Sequence, residues 1–365
     1  MSLIHKKKFF FLFNFYDNFN LENKKNQFNC DLNSWEKIFS SLTFNTSKSK
    51  IFYLNVLKKK FKKKDQYINY LDCEIKKFKP DYLVSTLDDE KVHKLIFQNR
   101  NFYKKSVVMH SAYLSNKQIL NYKKIYNAII TANKKILDLS NKVKLKNFYL
   151  ELSVPNSFFK KNVKFEDKNN KIFLSGSLGY RFRYRNKILN FLVNKFKNID
   201  FRPRHIYENI YLLNIFNKLL VKIFPRISFY LYKKKILPFT NKLKFYSKNS
   251  VSGKRLLESI NKNKFVINCN SDFDKNTCVN LRTYETLSQG SVLFTDENKL
   301  MRKYFKNNKH LIYYKNEFDL KEKILKISNN LKLCIKISQE AIKVIKKYHT
   351  SEYRFKKFIS IINKI

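Results

Sequence analysis

Apolar residues in the first part of the chain fall into short dense runs, separated by stretches in which they recur at every third and fourth position. Dense runs of strand length alternating with helical periodicity predict a mostly parallel sheet covered on both faces. Lys8 to Tyr16 and Ser49 to Leu57 read as strands, with a short helix over Trp35 to Leu42 between them. Gln66 to Phe78 reads as a helix ending before Pro80, and Asp81 to Thr86 as a compact strand running into the acidic turn Asp88-Asp89-Glu90. Val107 to Met109 and Ala128 to Thr131 are further strands, on either side of a helix over Lys117 to Tyr126. Ligands on such sheets gather at the carboxyl ends of strands, which singles out Thr86 to Asp89 and His110-Ser111 by position.

The polar, charged stretch from Lys160 to Lys171 is the linker candidate, and a second series of the same kind follows it. Its strands are Ile172 to Ser175, Lys264 to Asn268, Val292 to Thr295 and Leu311 to Tyr314; its helices are Asn186 to Phe196, Thr283 to Gln289 and Asp319 to Leu331. Ile335 to Ile361 reads as two closing helices. The prediction is an α/β chain of two similar halves: an N-terminal domain over 1–160, a C-terminal domain over 161–345, and a terminal helix over 346–365. No internal sequence repeat accompanies this.

Residues 200–250 interrupt the second half with Pro203, Pro225 and Pro238, dense lysines and the aromatic run Phe224 to Tyr232. An insertion of this length calls for helices of its own. Ile206, Ile210, Leu213, Phe216, Leu220 and Phe224 fit one helical stripe, which either packs on the neighbouring domain or lies on anionic lipid.

Composition narrows the classes. The 365 residues carry 76 Lys and Arg against 28 Asp and Glu, a formal charge of +48, yet 44% are apolar and 35 are Phe and 23 Tyr. A disordered basic tail is excluded by that aromatic content. The charge attracts anionic partners of any kind, although joint enrichment of Lys, Asn, Ile, Phe and Tyr also looks like codon bias. Five scattered cysteines argue against a structural zinc site or a disulfide scaffold. No stretch reaches the ~18 to 20 apolar residues of a membrane span, so a cytoplasmic protein is expected.

Only four glycines occur. Gly176 and Gly179 flank Ser177 just after a strand, with Arg181, Arg183 and Arg185 at the start of a helix. That is either a tight turn or a diphosphate site built from helix-start amides and guanidinium groups. The Lys-Ser/Thr ending of a nucleotide-hydrolase phosphate loop is missing. Arg282 and Glu285, three apart, share one side of a helical turn. The carboxylate could accept from a ribose diol, or the two could be a surface ion pair.

From Asn280 onward the chain resembles the C-terminal domain of group 1 glycosyltransferases, in their CgeB-like (spore-maturation protein-like) branch. The resemblance rests on Arg282-x-x-Glu285, Gly290, the strand end Leu293-Phe294-Thr295-Asp296, the segment Tyr313 to Leu320, and His349-Thr350 with Arg354. Phe173 to Ser177 with Arg181, and Lys264 to Asn268, resemble earlier strands of the same domain. The resemblance implies a GT-B fold, two Rossmann-like domains facing across a cleft, with a nucleotide sugar bound mainly by the second. It places Glu285 on the donor ribose or a sugar hydroxyl, Arg282 beside it or on a phosphate, and Gly176, Ser177 and Arg181 by the diphosphate; Gly290 belongs to the same motif. It requires no metal or other cofactor. Thr277 stands where retaining relatives carry the first of two glutamates eight apart, so the stereochemical outcome stays open.

An inverting transfer needs a base for the acceptor hydroxyl. His110, Asp89 and Asp17 follow strands of the N-terminal half and are the candidates. The expected function is transfer of a hexose from a nucleotide diphosphate sugar to a hydroxyl acceptor, such as a glycan or lipid-linked glycan at the inner face of an anionic membrane. The rival readings are a nucleic-acid-binding protein and a glycosyltransferase acting on a hydroxylated DNA base.

Overall fold

The computed structural model describes residues 7–13, 48–61, 65–86, 89–110, 114–159, 162–177, 183–204, 251, 253–270 and 277–365. They belong to two compact units, Met1–Asn156 with His349–Ile365, and Ser157–Tyr348.

The first unit is built on a parallel sheet of β1 (Lys8–Phe13), β2 (Lys48–Tyr53), β3 (Tyr82–Ser85), β4 (Lys105–Met109), β5 (Ala128–Thr131) and β6 (Asn147–Tyr149), in the order β2-β1-β3-β4-β5-β6. A central parallel strand is covered on both faces and reads as a continuous apolar run, and β1, Lys-Phe-Phe-Phe-Leu-Phe, is the example. Phe9, Phe11 and Phe13 stack along one face, while Phe10 and Leu12 join the core on the other. The helices are α1 (Leu54–Lys60), α2 (Gln66–Phe78), α3 (Glu90–Gln98), α4 (Asn116–Ile125) and α5 (Lys134–Lys142). The strand expected over Ser49 to Leu57 stops at Tyr53, because Leu54 and Leu57, one helical turn apart, both turn into the core. The helix expected at Trp35 to Leu42 lies outside the described residues.

The second unit carries β7 (Asn169–Ser177), α6 (Arg183–Lys195), β8 (Ile199–Arg204), α7 (Gly253–Lys262), β9 (Asn263–Asn268), α8 (Leu281–Ser288), β10 (Val292–Asp296), α9 (Lys299–Arg302), β11 (Ile312–Tyr314), α10 (Glu317–Ser328) and α11 (Leu331–Tyr348). Its five strands are parallel, in the order β11-β10-β9-β7-β8. Asn side chains cap three of its helices: Asn280 for α8, Asn298 for α9 and Asn316 for α10. A short polar side chain accepting the first orphan amides is what fixes a helix start. Residues 200–204, assigned by sequence to the start of the insertion, belong to strand β8. The linker candidate is also not solvated throughout, since Lys168 is buried.

The last helix, α12 (Ser351–Ile362), returns to the first unit. Val154 and Thr350 form a parallel bridge there, and Thr350 caps the helix. Beneath it Arg354 lies 2.8 Å from His349 Nδ1, while Glu151 Oε2 stands 3.5 Å from Arg354 Nε as an ion pair and accepts from Lys357 Nζ at 3.2 Å. His349, Arg354 and Glu151 are all buried; they fasten α12 to the first unit.

Candidate active site

In each unit the strand order reverses beside a central strand, between β1 and β3 in the first and between β7 and β9 in the second. The carboxyl ends at such a switch point are where open α/β sheets bind ligands.

In the second unit Gly176 is the next-to-last residue of β7 and Asn268 closes β9. Arg185, from the first turn of α6, spans the two: its Nη2 donates to the Cys269 carbonyl at 3.4 Å, and its Nη1 would stand 2.8 Å from a Cβ at Gly176. The glycine therefore leaves room for a guanidinium at the switch point. A polar network continues across β9 and β10. Asn268 and Asn280 exchange reciprocal amide bonds of 3.1 and 3.0 Å, which ties the start of α8 to the end of β9. The Asn270 backbone N donates to Asp296 Oδ1 at 2.6 Å and its side chain to Thr295 Oγ1 at 2.9 Å. Tyr314 is fully buried and donates to the Asn268 carbonyl at 2.9 Å. Burial pushes its phenol well above the ordinary range, so it acts as a fixed donor.

Arg282 and Glu285 lie on α8, just beyond its capped start. Arg282 Nη1 donates to Glu285 Oε2 at 2.9 Å, with the glutamate side chain 3% exposed and the arginine 16%. The pair is buried rather than solvated. Two charges taken out of water cost several kcal/mol before their attraction is counted, so the pair is weak as a stability device.

Gly290 has a different setting. It follows α8 at φ +66° and precedes β10, at the amino end of the sheet. A Cβ there would meet Ile342 Cδ1 at 2.8 Å and Ser338 Oγ at 2.9 Å, and Ser338 Oγ donates to the Gly290 carbonyl at 2.6 Å. It serves close packing of α11 and does not join the other candidates. Ser177 ends β7; Arg181 and Asp17 lie outside the described residues.

In the first unit Asp89 and His110 follow β3 and β4. Asp89 is the N-cap of α3, accepting from the amides of Lys91 and Val92, and it pairs with Lys58 Nζ at 2.9 Å. Partial burial alone would raise its carboxyl, but the Lys58 ammonium and the two amides outweigh burial and hold it below the usual carboxylate range. A carboxylate so engaged suits a cap better than a proton acceptor. His110 donates its backbone N–H to Ile130, is half-buried, and its ring stands 6.3 Å from that of Tyr122. Among the described residues no three His, Cys, Asp or Glu side chains converge as metal ligands. Cys73, Cys269, Cys278 and Cys334 form no disulfides with one another.

Asn268, Asn270 and Asn280 were missed as site residues by sequence reasoning. Their signal was the abrupt polar ending of an apolar strand, Phe265-Val266-Ile267 followed by Asn268-Cys269-Asn270, which repeats in Val292-Leu293-Phe294 followed by Thr295-Asp296.

Residues 215–360 match the model of a family described as "Glycosyl transferase-like". Among solved structures, the Anabaena HepE protein, determined in complex with UDP and glucose, superposes with a TM-score of 0.62 at 7% identity, over 98% of this chain and 100% of that one. A glycosyltransferase from Rickettsia africae gives 0.61 at 11% identity, over 98% of each chain. A protein from Listeria monocytogenes described as a UDP-N-acetylglucosamine 2-epimerase gives 0.52 at 10% identity, over 98% of this chain and 96% of that one. No curated protein sequence matches. The chain has an α/β GT-B fold, and the family match over residues 215–360 supports an enzyme with nucleotide-sugar-dependent glycosyltransferase activity. No helix of the described residues is long and apolar enough to cross a membrane.

Proposed function

We propose that the protein transfers a hexose from a nucleotide diphosphate sugar to a hydroxyl acceptor, as a glycosyltransferase of the CgeB-like branch. The observation that carries this is the gathering of Arg185, the α8 cap Asn280 and the buried Arg282–Glu285 pair at the carboxyl edge of the second sheet, beside its switch point. In this reading Arg185 and the Gly176–Ser177 backbone meet the diphosphate, and Glu285, oriented by Arg282, accepts from the ribose or a sugar hydroxyl. Positive groups fixed in advance where the leaving diphosphate gains charge stabilise the transition state without reorganisation. His110 is the proposed base toward the acceptor, because the other described candidate, Asp89, is held by its cap bonds and Lys58.

The acceptor is proposed to be a glycan or lipid-linked glycan, reached at the inner face of an anionic membrane through the basic aromatic segment 200–250. That segment, apart from 200–204, lies outside the described residues, and its support is the interleaving of Lys233, Lys234 and Lys235 with Phe229 and Leu231. Its test is sedimentation with anionic vesicles at low salt. Calorimetric titration with UDP-glucose and other nucleotide sugars tests the donor assignment. Saturable binding, with UDP release that depends on an added acceptor, is the expected result. Conversion of a UDP-sugar to its epimer without any acceptor would place the chain with the epimerase that shares its fold, and absence of nucleotide binding would remove both readings.

A further inference from the structure

Large apolar side chains at a protein surface are ordinary when single and informative when they cluster. Phe318 on α10 is 65% exposed, Leu325 on the same helix 47%, and Leu331, the first residue of α11, 48%. Phe318 and Leu325 are seven residues apart and share one face of α10. Phe318 also meets the ring of Phe191 on α6 edge to face, with centroids 5.4 Å apart. The result is an apolar ridge along the outer side of the second unit. Asn316 caps α10 directly after β11, so the ridge begins beside the carboxyl edge of the sheet, the edge that carries Arg185 and Glu285.

Lysines flank the ridge. Helical spacing sets Lys321 on one side of the Phe318–Leu325 line and Lys326 on the other, and Lys332 follows Leu331. Two of the acids nearby are engaged, Glu317 with Lys187 at 2.7 Å and Asp319 with Lys323 at 2.8 Å. Glu322 is the remaining acid on this face of α10, whereas Lys321, Lys326 and Lys332 take part in no ion pair or hydrogen bond among the described residues. Two copies of the chain meeting through this face would set like charges against each other, and protein interfaces deplete lysine at their core. A bilayer surface accepts both kinds of side chain: phenylalanine and leucine enter the boundary below the headgroups, while lysine stems lie along the apolar surface and their ammonium groups reach lipid phosphates.

We propose that the outer face of α10, with Phe191 beside it and Leu331 and Lys332 continuing it, is a peripheral contact with an anionic membrane surface. The inference rests on the reading above for its purpose, since it holds the donor edge of the second sheet next to the lipid headgroups where a lipid-linked acceptor would be presented. It is independent of segment 200–250.

The test is flotation of the full chain with vesicles of phosphatidylcholine, with and without phosphatidylglycerol, over a range of salt. Phe318→Ser/Leu325→Ser and Lys321→Gln/Lys326→Gln/Lys332→Gln are compared with a control that removes two exposed apolar side chains from the first unit, Phe97→Ser/Leu120→Ser. The wild type should partition onto the phosphatidylglycerol vesicles. Each α10 variant should lose about tenfold or more in partition, with an unchanged thermal melt, and the lysine variant should also flatten the salt dependence. The control should bind as the wild type does. Wild-type binding in both α10 variants would assign the attachment to another part of the chain and overturn the proposal. Equal loss in the control, equal partition onto neutral vesicles, or no binding by the wild type would also overturn it, as would a dimer, seen by sedimentation velocity, that Phe318→Ser/Leu325→Ser dissolves without changing vesicle binding. UDP-glucose titration of the same samples keeps the two readings apart. Donor binding retained while the selective vesicle loss fails sinks the membrane contact alone, and selective vesicle loss without any nucleotide-sugar binding sinks the donor reading alone.

Discussion

The carboxyl edges of the two sheets are built from different materials. In the second unit the strand ends close on side chains that hold one another: Asn268 with Asn280, Asn270 with Thr295 and Asp296, Arg282 with Glu285, all buried or nearly so. In the first unit the polar groups at the strand ends are mostly helix caps, Asp89, Ser115 and Asn133, and exposed lysines surround the first of them. A satisfied buried network is rigid and selects one ligand shape, whereas exposed ammonium groups on flexible stems accept many. The difference is that expected between a site for an invariant donor and a surface for a less regular acceptor.

The largest effect should come from Glu285. Glu285→Gln keeps volume and one acceptor oxygen but removes the charge; turnover with a nucleotide sugar should fall at least ~100-fold, about 2.7 kcal/mol of transition-state stabilisation. Glu285→Ala is the poorer test, because removing one partner of a buried pair costs about 3–5 kcal/mol of stability. Steady-state kinetics beside a thermal melt separate the two losses, and unchanged kinetics in the Gln variant would dissolve the contrast between the edges.

On the other edge the contrast is between His110 and Asp89. His110→Ala should slow the chemical step by about 10²-fold, the usual yield of a general base, with donor affinity retained. Asp89→Asn keeps a good N-cap residue and should cost less than about threefold. Rapid-quench measurement of the chemical step decides, and wild-type rates in both variants would show that neither takes the acceptor proton.

The two described glycines of known setting sharpen the comparison within the second unit. Gly290→Ala forces a side chain into the left-handed region and against Ile342 and Ser338; it should cost about 2 kcal/mol of stability, measured by denaturant unfolding, and leave donor affinity unchanged. Gly176→Ala puts a side chain at φ +157°, which L residues rarely adopt, and against the Arg185 guanidinium. It should displace that guanidinium, weakening nucleotide-sugar binding about tenfold by calorimetry, or ~1.4 kcal/mol, beyond whatever stability the backbone strain removes.

Apolar patterning located most of the frame. Ala128–Thr131 and Gln66–Phe78 lie where the pattern put them, because each is an apolar run or stripe bounded by turn residues. It missed α3, whose Val92, Leu95 and Ile96 are interleaved with His93 and Lys94 immediately after an acidic turn. It missed β8 as well, since Arg202, Pro203 and Arg204 at its end resemble the insertion that follows. The Arg282–Glu285 pair was legible as a pair, since spacing on a helix is local; its burial was not, because that depends on strands and helices distant in sequence. The same limit hid the Asn268–Asn280 bond, which joins a strand end to a helix cap across a dozen residues.

Lys168 gives the most specific prediction. Its ammonium donates to the Asn261 carbonyl at 2.5 Å, to Asn261 Oδ1 at 3.1 Å and to the Gln289 carbonyl at 3.0 Å, at the ends of α7 and α8. All three acceptors are neutral, so burial dominates and pushes the lysine down to about 7. Between pH 7 and the ordinary lysine value of 10.5, the unfolded chain then holds a proton that the folded chain has lost. Stability must rise with pH wherever the unfolded state binds more protons, and below pH 7 the contribution is flat because both states are protonated. From pH 7 to pH 9 the gain should be about 2 kcal/mol. The surface charge of the whole chain also changes with pH, so the measurement is a difference: urea midpoints of wild type and Lys168→Met at both pH values. The wild type should gain on the variant as pH rises. A constant offset between them would mean that the ends of the two helices, with their negative dipole ends, keep Lys168 charged up to the ordinary range.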